Sequence, residues 1–292
     1  MAERRPDRAR SAPFAFDFRS RTPAAPLDRL VASIWYARGT VPYRRERIAP
    51  TGSTVAVIVL GEAIIETPDD GAGTAFTATR GFLLGPHDRP VLNEPVGETF
   101  AVGIVATPVG CEALFGVAPA GLRGRVVDLE ATWPAASALR DALGATADPD
   151  AMLLLVEGHL RPAADRHPSG LGRCEKAVRM LEDDPTRPIG DIAATLGVSH
   201  GHLDRELNRI VGLTPRALSR LLRVRRLLAG LDIGDTVAWA ALAGELGWYD
   251  QAHLIRDVKR HTGVTPTEYL AAQRAITSPV DAADAAGFVP ET

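Results

Sequence analysis

Two stretches in the C-terminal half repeat each other at an offset of 50 to 51 residues, and this repeat limits the fold more than any other feature of the chain. Ile192-Ala193-Ala194-Thr195-Leu196-Gly197 matches Leu242-Ala243-Gly244-Glu245-Leu246-Gly247 at 50. Leu203-Asp204-Arg205 matches Leu254-Ile255-Arg256, and Gly212-Leu213-Thr214-Pro215 matches Gly263-Val264-Thr265-Pro266, both at 51. The one-residue difference falls in a turn. Each unit reads as an apolar-periodic helix ending at a glycine suited to a left-handed C-cap. A short turn follows, with Ser199 or Asp250 placed to cap the next helix. That helix buries Leu203 and Leu207 in one unit, Leu254 and Val258 in the other. A Thr-Pro pair then opens a further helix. Two helices around a short Gly-containing turn predict a helix-turn-helix. The second helix of each unit is the candidate reader of the major groove.

At this point the sequence resembles a known family. Residues 171–275 are similar to the tandem helix-turn-helix DNA-binding domain of the AraC/XylS bacterial transcription regulators. The second unit carries the resemblance: Leu246-Gly247-Trp248-Tyr249-Asp250-Gln251-Ala252-His253-Leu254-Ile255-Arg256-Asp257-Val258-Lys259-Arg260, then Gly263-Val264-Thr265-Pro266 and Glu268-Tyr269. The family usually has Phe where Leu254 and Val258 stand. The resemblance implies a helix joining the units, which Pro215–Leu231 fits. It implies double-stranded promoter or operator DNA as partner, with RNA polymerase a further partner if the chain activates. It leaves open a small-molecule effector and a homodimer through the helices near 131–160. Apart from the resemblance, the scarcity of Cys and His and the lack of a signal-like or membrane-spanning run suggest no cofactor, no metal and a cytoplasmic location.

In such a fold the exposed, N-terminal part of each recognition helix meets base edges. Those positions are His200, Gly201, His202, Asp204 and Arg205 in the first unit, and Gln251, Ala252, Ile255 and Arg256 in the second. Gln can bond adenine bidentately, and Arg guanine. Asp204 could accept from a cytosine amino group or pair with a neighbouring Arg. Arg209, Arg216, Arg220, Lys259 and Arg260 read as phosphate contacts or solvated charges. Arg216, Arg220 and Arg223 share one helix face, either solvated or a phosphate track. His253 reads as structural and His261 as a surface residue.

Charge placement supports the DNA reading. The whole chain carries −3, so it is no generic polyanion binder. Yet His200–Arg226 holds seven Arg against two acids, concentrating positive charge where DNA would dock.

The N-terminal half has a different texture. Ser53–Leu60, Ala63–Glu66, Ala75–Thr79, Gly81–Leu84 and Phe100–Ala106 are short strand candidates between turn signals, which suggests a sandwich or barrel. Trp133–Leu143 and Ala151–Leu160 have helical spacing. The expected architecture is therefore α+β and multidomain. A β-rich sensory or dimerisation domain (14–165), ending in helices, precedes an all-α tandem helix-turn-helix domain (171–276). Arg161–Gly170 reads as the interdomain linker, its Pro and Gly allowing independent domain motion, Met1–Arg10 as a disordered arm and Thr277–Thr292 as a loose tail. Arg44–Arg47 reads as a solvated loop.

Trp35, Tyr36, Tyr43 and His87 are the candidate ligand-pocket residues, with ordinary core packing as the alternative. His87 is the only His up to Leu129, too few for a metal-dependent active site. Cys111 lacks an evident base and reads as a buried thiol. No apolar run approaches the ~20 residues of a membrane span. The reading is a non-enzymatic transcription regulator. The alternatives are a β-domain enzyme, or a DNA-alkylation sensor, carrying such a DNA-binding domain. Two isolated cysteines weigh against the sensor.

Overall fold

The computed structural model describes residues 16–69, 73–235, 237–275 and 287–291; the expected N-terminal arm lies outside them. The N-terminal region runs β1 (Phe16–Arg21), β2 (Val31–Gly39), β3 (Arg45–Ile48), β4 (Val55–Val59), β5 (Ile64–Pro68), β6 (Phe76–Ala78), β7 (Gly81–Leu84), β8 (Val91–Pro95), β9 (Thr99–Ala106), α1 (Cys111–Phe115) and β10 (Val126–Asp128). Then come α2 (Leu129–Thr132), α3 (Ala135–Gly144) and α4 (Pro149–Leu160). The strands form two antiparallel sheets, one ordered β1-β2-β9-β4-β7-β10, the other built on β3-β8-β5-β6.

The six-stranded sheet is buried on both faces. Ala56 and Ile58 of β4 join Ile34, Val102 and Ile104 under Leu139, Leu143, Met152 and Val156 of α3 and α4. Val57 and Val59 join Phe82, Leu84 and Ala101 between the sheets. This double burial is why β4 reads as an unbroken apolar run and not as an alternation.

The C-terminal region is all-helical up to Ala275: α5 (Leu171–Asp183), α6 (Ile189–Thr195), α7 (His200–Ile210), α8 (Pro215–Ala229), α9 (Trp239–Glu245), α10 (Gln251–Thr262) and α11 (Pro266–Ala275). Its caps follow the sequence. Ser199 accepts from the His202 backbone N–H at 3.2 Å, and Asp250 from that of His253 at 2.7 Å. Thr214 caps α8. Thr265 and Glu268 form a reciprocal capping box at α11. Gly197 and Gly247, at the equivalent turns, both take positive φ (+69° and +79°), the conformation glycine adopts without a Cβ penalty.

Three expectations need correction. Arg161–Gly170 is not a loose linker. Arg161–Asp165 forms a 3-10 turn, Arg166 donates to the Ala113 carbonyl at 3.0 Å, and one hydrophobic core runs from Ile34 through Leu160 and Leu171 to Leu207 and Leu221. The first helix-turn-helix is thus packed onto the β-domain. Arg44–Arg47 is not a solvated loop. Arg45–Ile48 is a strand in which Glu46 is only 8% exposed, while Arg45 and Arg47 turn to the other face and pair with Glu291. The tail is not loose throughout. β11 (Phe288–Glu291) adds antiparallel to the edge of β3, covering backbone groups that an edge strand would leave open. Its Val289 is buried in the core of the second helix-turn-helix. Residues 277–286 and 292 of that tail lie outside the described ones.

Gly212 marks the joint between the regions. Its φ is +78°, and a Cβ there would sit 2.7 Å from Pro86 Cγ and 3.1 Å from the Pro119 carbonyl oxygen. Gly212→Ala is expected to destabilise the chain by about 1–3 kcal/mol. Gly244→Ala, in α9 with open space around it, should be neutral or stabilising by up to about 1 kcal/mol. Chemical denaturation of the two variants checks this contrast; equal effects would contradict it.

Candidate functional site

The two candidate recognition helices, α7 and α10, present equivalent surfaces. On α7, His200, Gly201, His202 and Arg205 are exposed and Asp204 is half-buried; on α10, Gln251, Ala252, Arg256 and Lys259 are exposed. Leu203 and Leu207, and Leu254 and Val258, are buried. Ile255 is half-buried and packs against the core of its unit, so only part of it is offered to solvent. Arg205 and Arg256 stand at matched positions, and neither enters an ion pair among the described residues.

Other arginines are committed. Arg209 binds Glu112 at 3.2 Å and the Ser169 carbonyl, so it spans the joint to the β-domain. Arg260 pairs with Asp88 at 2.7 Å across the same joint. Arg220 pairs with Asp257 at 3.4 Å. Arg223 donates to the Gly247 carbonyl at 3.1 Å and lies over the Trp248 ring. The face of Arg216, Arg220 and Arg223 is therefore neither simply solvated nor a phosphate track: two of its three members fasten α8 to the second unit, and Arg216 alone is exposed.

That fastening is a buried polar cluster. Asp257 is 6% exposed. It accepts from Trp248 Nε1 at 2.9 Å, and its other oxygen faces Arg220. His253 Nε2 lies 3.6 Å away. His261 is not a surface residue: it is buried, donates from Nδ1 to the Asp257 carbonyl at 2.7 Å, and burial pulls its pKa down. The first unit carries the same arrangement 51 residues earlier. Glu206 faces His202 at 3.7 Å and Arg173 at 3.5 Å, and Arg173 also donates to His202 Nε2 at 2.8 Å. His202 and His253 are thus equivalent, although the sequence reading placed one at DNA and the other in the structure.

Tyr249 was not singled out from sequence. It is 93% exposed in the turn before α10, beside the positions expected to meet DNA. An aromatic ring left in water at a turn is the signal that could have marked it.

A second site lies between the sheets, in a cavity of about 1360 Å³ open toward α5 and α8. Trp35 and Tyr43 line it. Tyr36 does not: it faces the helix side, edge-on to Phe100 at 6.0 Å. His87 is buried outside the lining and donates from Nδ1 to the Gly85 carbonyl at 2.9 Å. Sequence reading missed the two buried acids that line the cavity, Glu46 and Glu66. Glu66 is 1% exposed. Burial pushes its pKa up to about 8 and that of Glu46 to about 7. A carboxyl whose folded pKa is raised holds its proton more tightly folded than unfolded, so stability falls as pH rises from about 4.5 to 8. Glu66→Gln should remove part of that slope and gain about 1–3 kcal/mol at pH 8 relative to pH 5. Denaturant titrations at the two pH values test it; an unchanged slope would contradict it. Cys111 is also buried, its thiol pushed up to about 11 by burial, the setting of an inert thiol.

Comparison with known proteins gives two family matches. Residues 192–272 match the helix-turn-helix domain family, and residues 19–128 match a domain of unknown function, DUF6597. No curated protein sequence matches the chain. Among solved structures, ToxT from Vibrio cholerae O395 is similar at 14% identity over 88% of this chain and 97% of that one, with a TM-score of 0.45. Unsaturated fatty acid bound ToxT from strain SCE256 of Vibrio cholerae is similar at 14% identity over 78% and 91%, TM-score 0.43. A probable AraC family transcriptional regulator from Rhodopseudomonas palustris CGA009 is 26% identical over 36% of this chain and 97% of that chain, TM-score 0.31.

Proposed function

Given the AraC-type helix-turn-helix domain at its C-terminal end, we propose that this chain is a sequence-specific transcription regulator that inserts α7 and α10 into successive major-groove segments of promoter DNA. The observation that carries this reading is the pair Arg205 and Arg256, exposed, unpaired among the described residues and matched across the repeat. Around them His200, Gly201, Gln251 and Ala252 form the base-facing surface, and Lys259 and Arg216 reach phosphates. Arg209, held by Glu112 and Ser169, positions the β-domain and is not assigned to DNA. The β-domain receives a ligand in its inter-sheet cavity, and its tight packing on the first unit supplies the route by which occupancy alters DNA binding.

Two recognition helices about one helical turn apart, ~34 Å, give an asymmetric site of roughly 17–20 base pairs. Selection from random DNA with the full chain should return one such motif. Recovery that is sequence-independent and collapses with salt would reject the reading, since counterion release alone would then explain binding.

A further inference from the structure

We propose that the inter-sheet cavity binds an organic cation bearing N–H donors, with its charged nitrogen at Glu46 and Glu66 and its apolar body against Trp35, Phe18 and Phe82. This inference rests on the reading of the cavity as a ligand site and adds the chemistry of the ligand.

The acids are placed by strand register. Glu46 of β3 lies opposite Asn93 of β8, and Asn93 lies opposite Glu66 of β5. The three side chains therefore form a row across three strands, and all three line the cavity. With strands about 4.8 Å apart, the two acids flank Asn93 at roughly 10 Å from each other. Glu66 Oε1 accepts from Asn93 Nδ2 at 2.6 Å. Its Oε2 is buried without a hydrogen-bond partner among the described residues, and such an acceptor is costly to leave unmade. Glu46 accepts from the Tyr43 hydroxyl at 2.7 Å.

The cations nearby do not answer these acids. On β3 the alternation of faces sends Arg45 and Arg47 to the opposite side, where they pair with Glu291 and Asp69. At the mouth, Arg179 is held by Glu175, Arg225 donates to the Thr51 carbonyl, and Arg226 to that of Asp183. These basic groups have acceptors elsewhere, whereas Glu46 and Glu66 meet only neutral donors and Glu66 Oε2 meets none among the described residues, so a cationic donor fits the floor and a carboxylate does not.

The wall suits an apolar or aromatic body. Trp35 pairs with Gly103 of β9, and a Cβ at Gly103 would fall 2.0 Å from the indole. The glycine lets the ring lie across the neighbouring strand. Phe18 stacks beside it, centroids 6.3 Å apart. Aromatic side chains and buried acids that line one cavity both favour a cation.

The test is calorimetric titration of the full chain with three probes of one shape: tryptamine (cation), tryptophol (neutral) and indole-3-propionate (anion). Tryptamine should bind at least about tenfold tighter than tryptophol, and indole-3-propionate weakest of the three. Glu66→Gln should erase the tryptamine advantage while leaving tryptophol binding intact, which shows the variant is folded. Tryptophol or indole-3-propionate binding as tightly as tryptamine overturns the cation assignment and leaves a ligand cavity standing. So does an advantage that survives both Glu66→Gln and Glu46→Gln. No binding by any probe overturns the cation assignment and the ligand-site reading together.

Discussion

Asp257→Ala is expected to cost about 2–3 kcal/mol. The substitution leaves Arg220 and the Trp248 indole N–H without their acceptor beneath the second recognition helix. Arg220 is a third exposed and water takes up part of its charge, so most of the loss comes from the buried Trp248 N–H left without an acceptor. Against a typical domain stability of about 5–15 kcal/mol, the loss should melt the second unit at temperatures the wild type tolerates. Asp257→Asn keeps an acceptor for Trp248 and should lose clearly less. Glu206→Ala, the equivalent change in the first unit, should cost only about 1 kcal/mol, since its partners Arg173 and His202 are 36% and 47% exposed and Val198 stands where the second unit has the donor Trp248. Thermal denaturation ranks the three variants. An Asp257→Ala midpoint within a degree of wild type would show that the cluster does not hold the second unit.

Arg205→Ala and Arg256→Ala should each weaken binding to the selected site by about 1–3 kcal/mol, without a change in stability. Both side chains are exposed and neither is used internally, so their removal disturbs no packing. The effects should add, because the two residues sit on helices with separate apolar cores. Arg216→Ala should weaken binding evenly across sequences and flatten the salt dependence by about one phosphate contact. Arg209→Ala should instead lower stability, because it opens the contact with Glu112 and Ser169. Fluorescence anisotropy at several salt concentrations separates these cases. Sequence-independent losses at Arg205 and Arg256 would reassign them to phosphates.

The helical half was legible because its signals are local. Caps at Ser199, Thr214 and Asp250, positive-φ glycines at 197 and 247, and i, i+4 leucines each act within a few residues, and the repeat states them twice. The pairing of His202 with Glu206 and of His253 with Asp257 was also present at offset 51. It went unread because the partners Arg173 and Arg220 come from other helices. The β-domain was legible where short apolar or β-branched runs sit between turn signals, as in β4, β5, β6, β7 and β9. β3 was hidden because it breaks the usual pattern: its arginines face outward and one of its two inward side chains, beside Ile48, is an acid. Such a breach of patterning is where functional positions concentrate, and Glu46 and Glu66 are the acids of the proposed cation site. The docking of β11 on β3 is non-local, and nothing within Phe288–Glu291 names its partner strand.

The central claim is that one chain reads DNA with two helices at once. The most direct test is to repeat the random-DNA selection with Arg205→Ala and with Arg256→Ala and to compare base preferences position by position. Each variant should lose preference at its own position, the two positions lying about one helical turn, ~10 base pairs, apart. If both variants lose preference at the same position, or if the motif is unchanged in either, the two units do not read successive segments and the account fails.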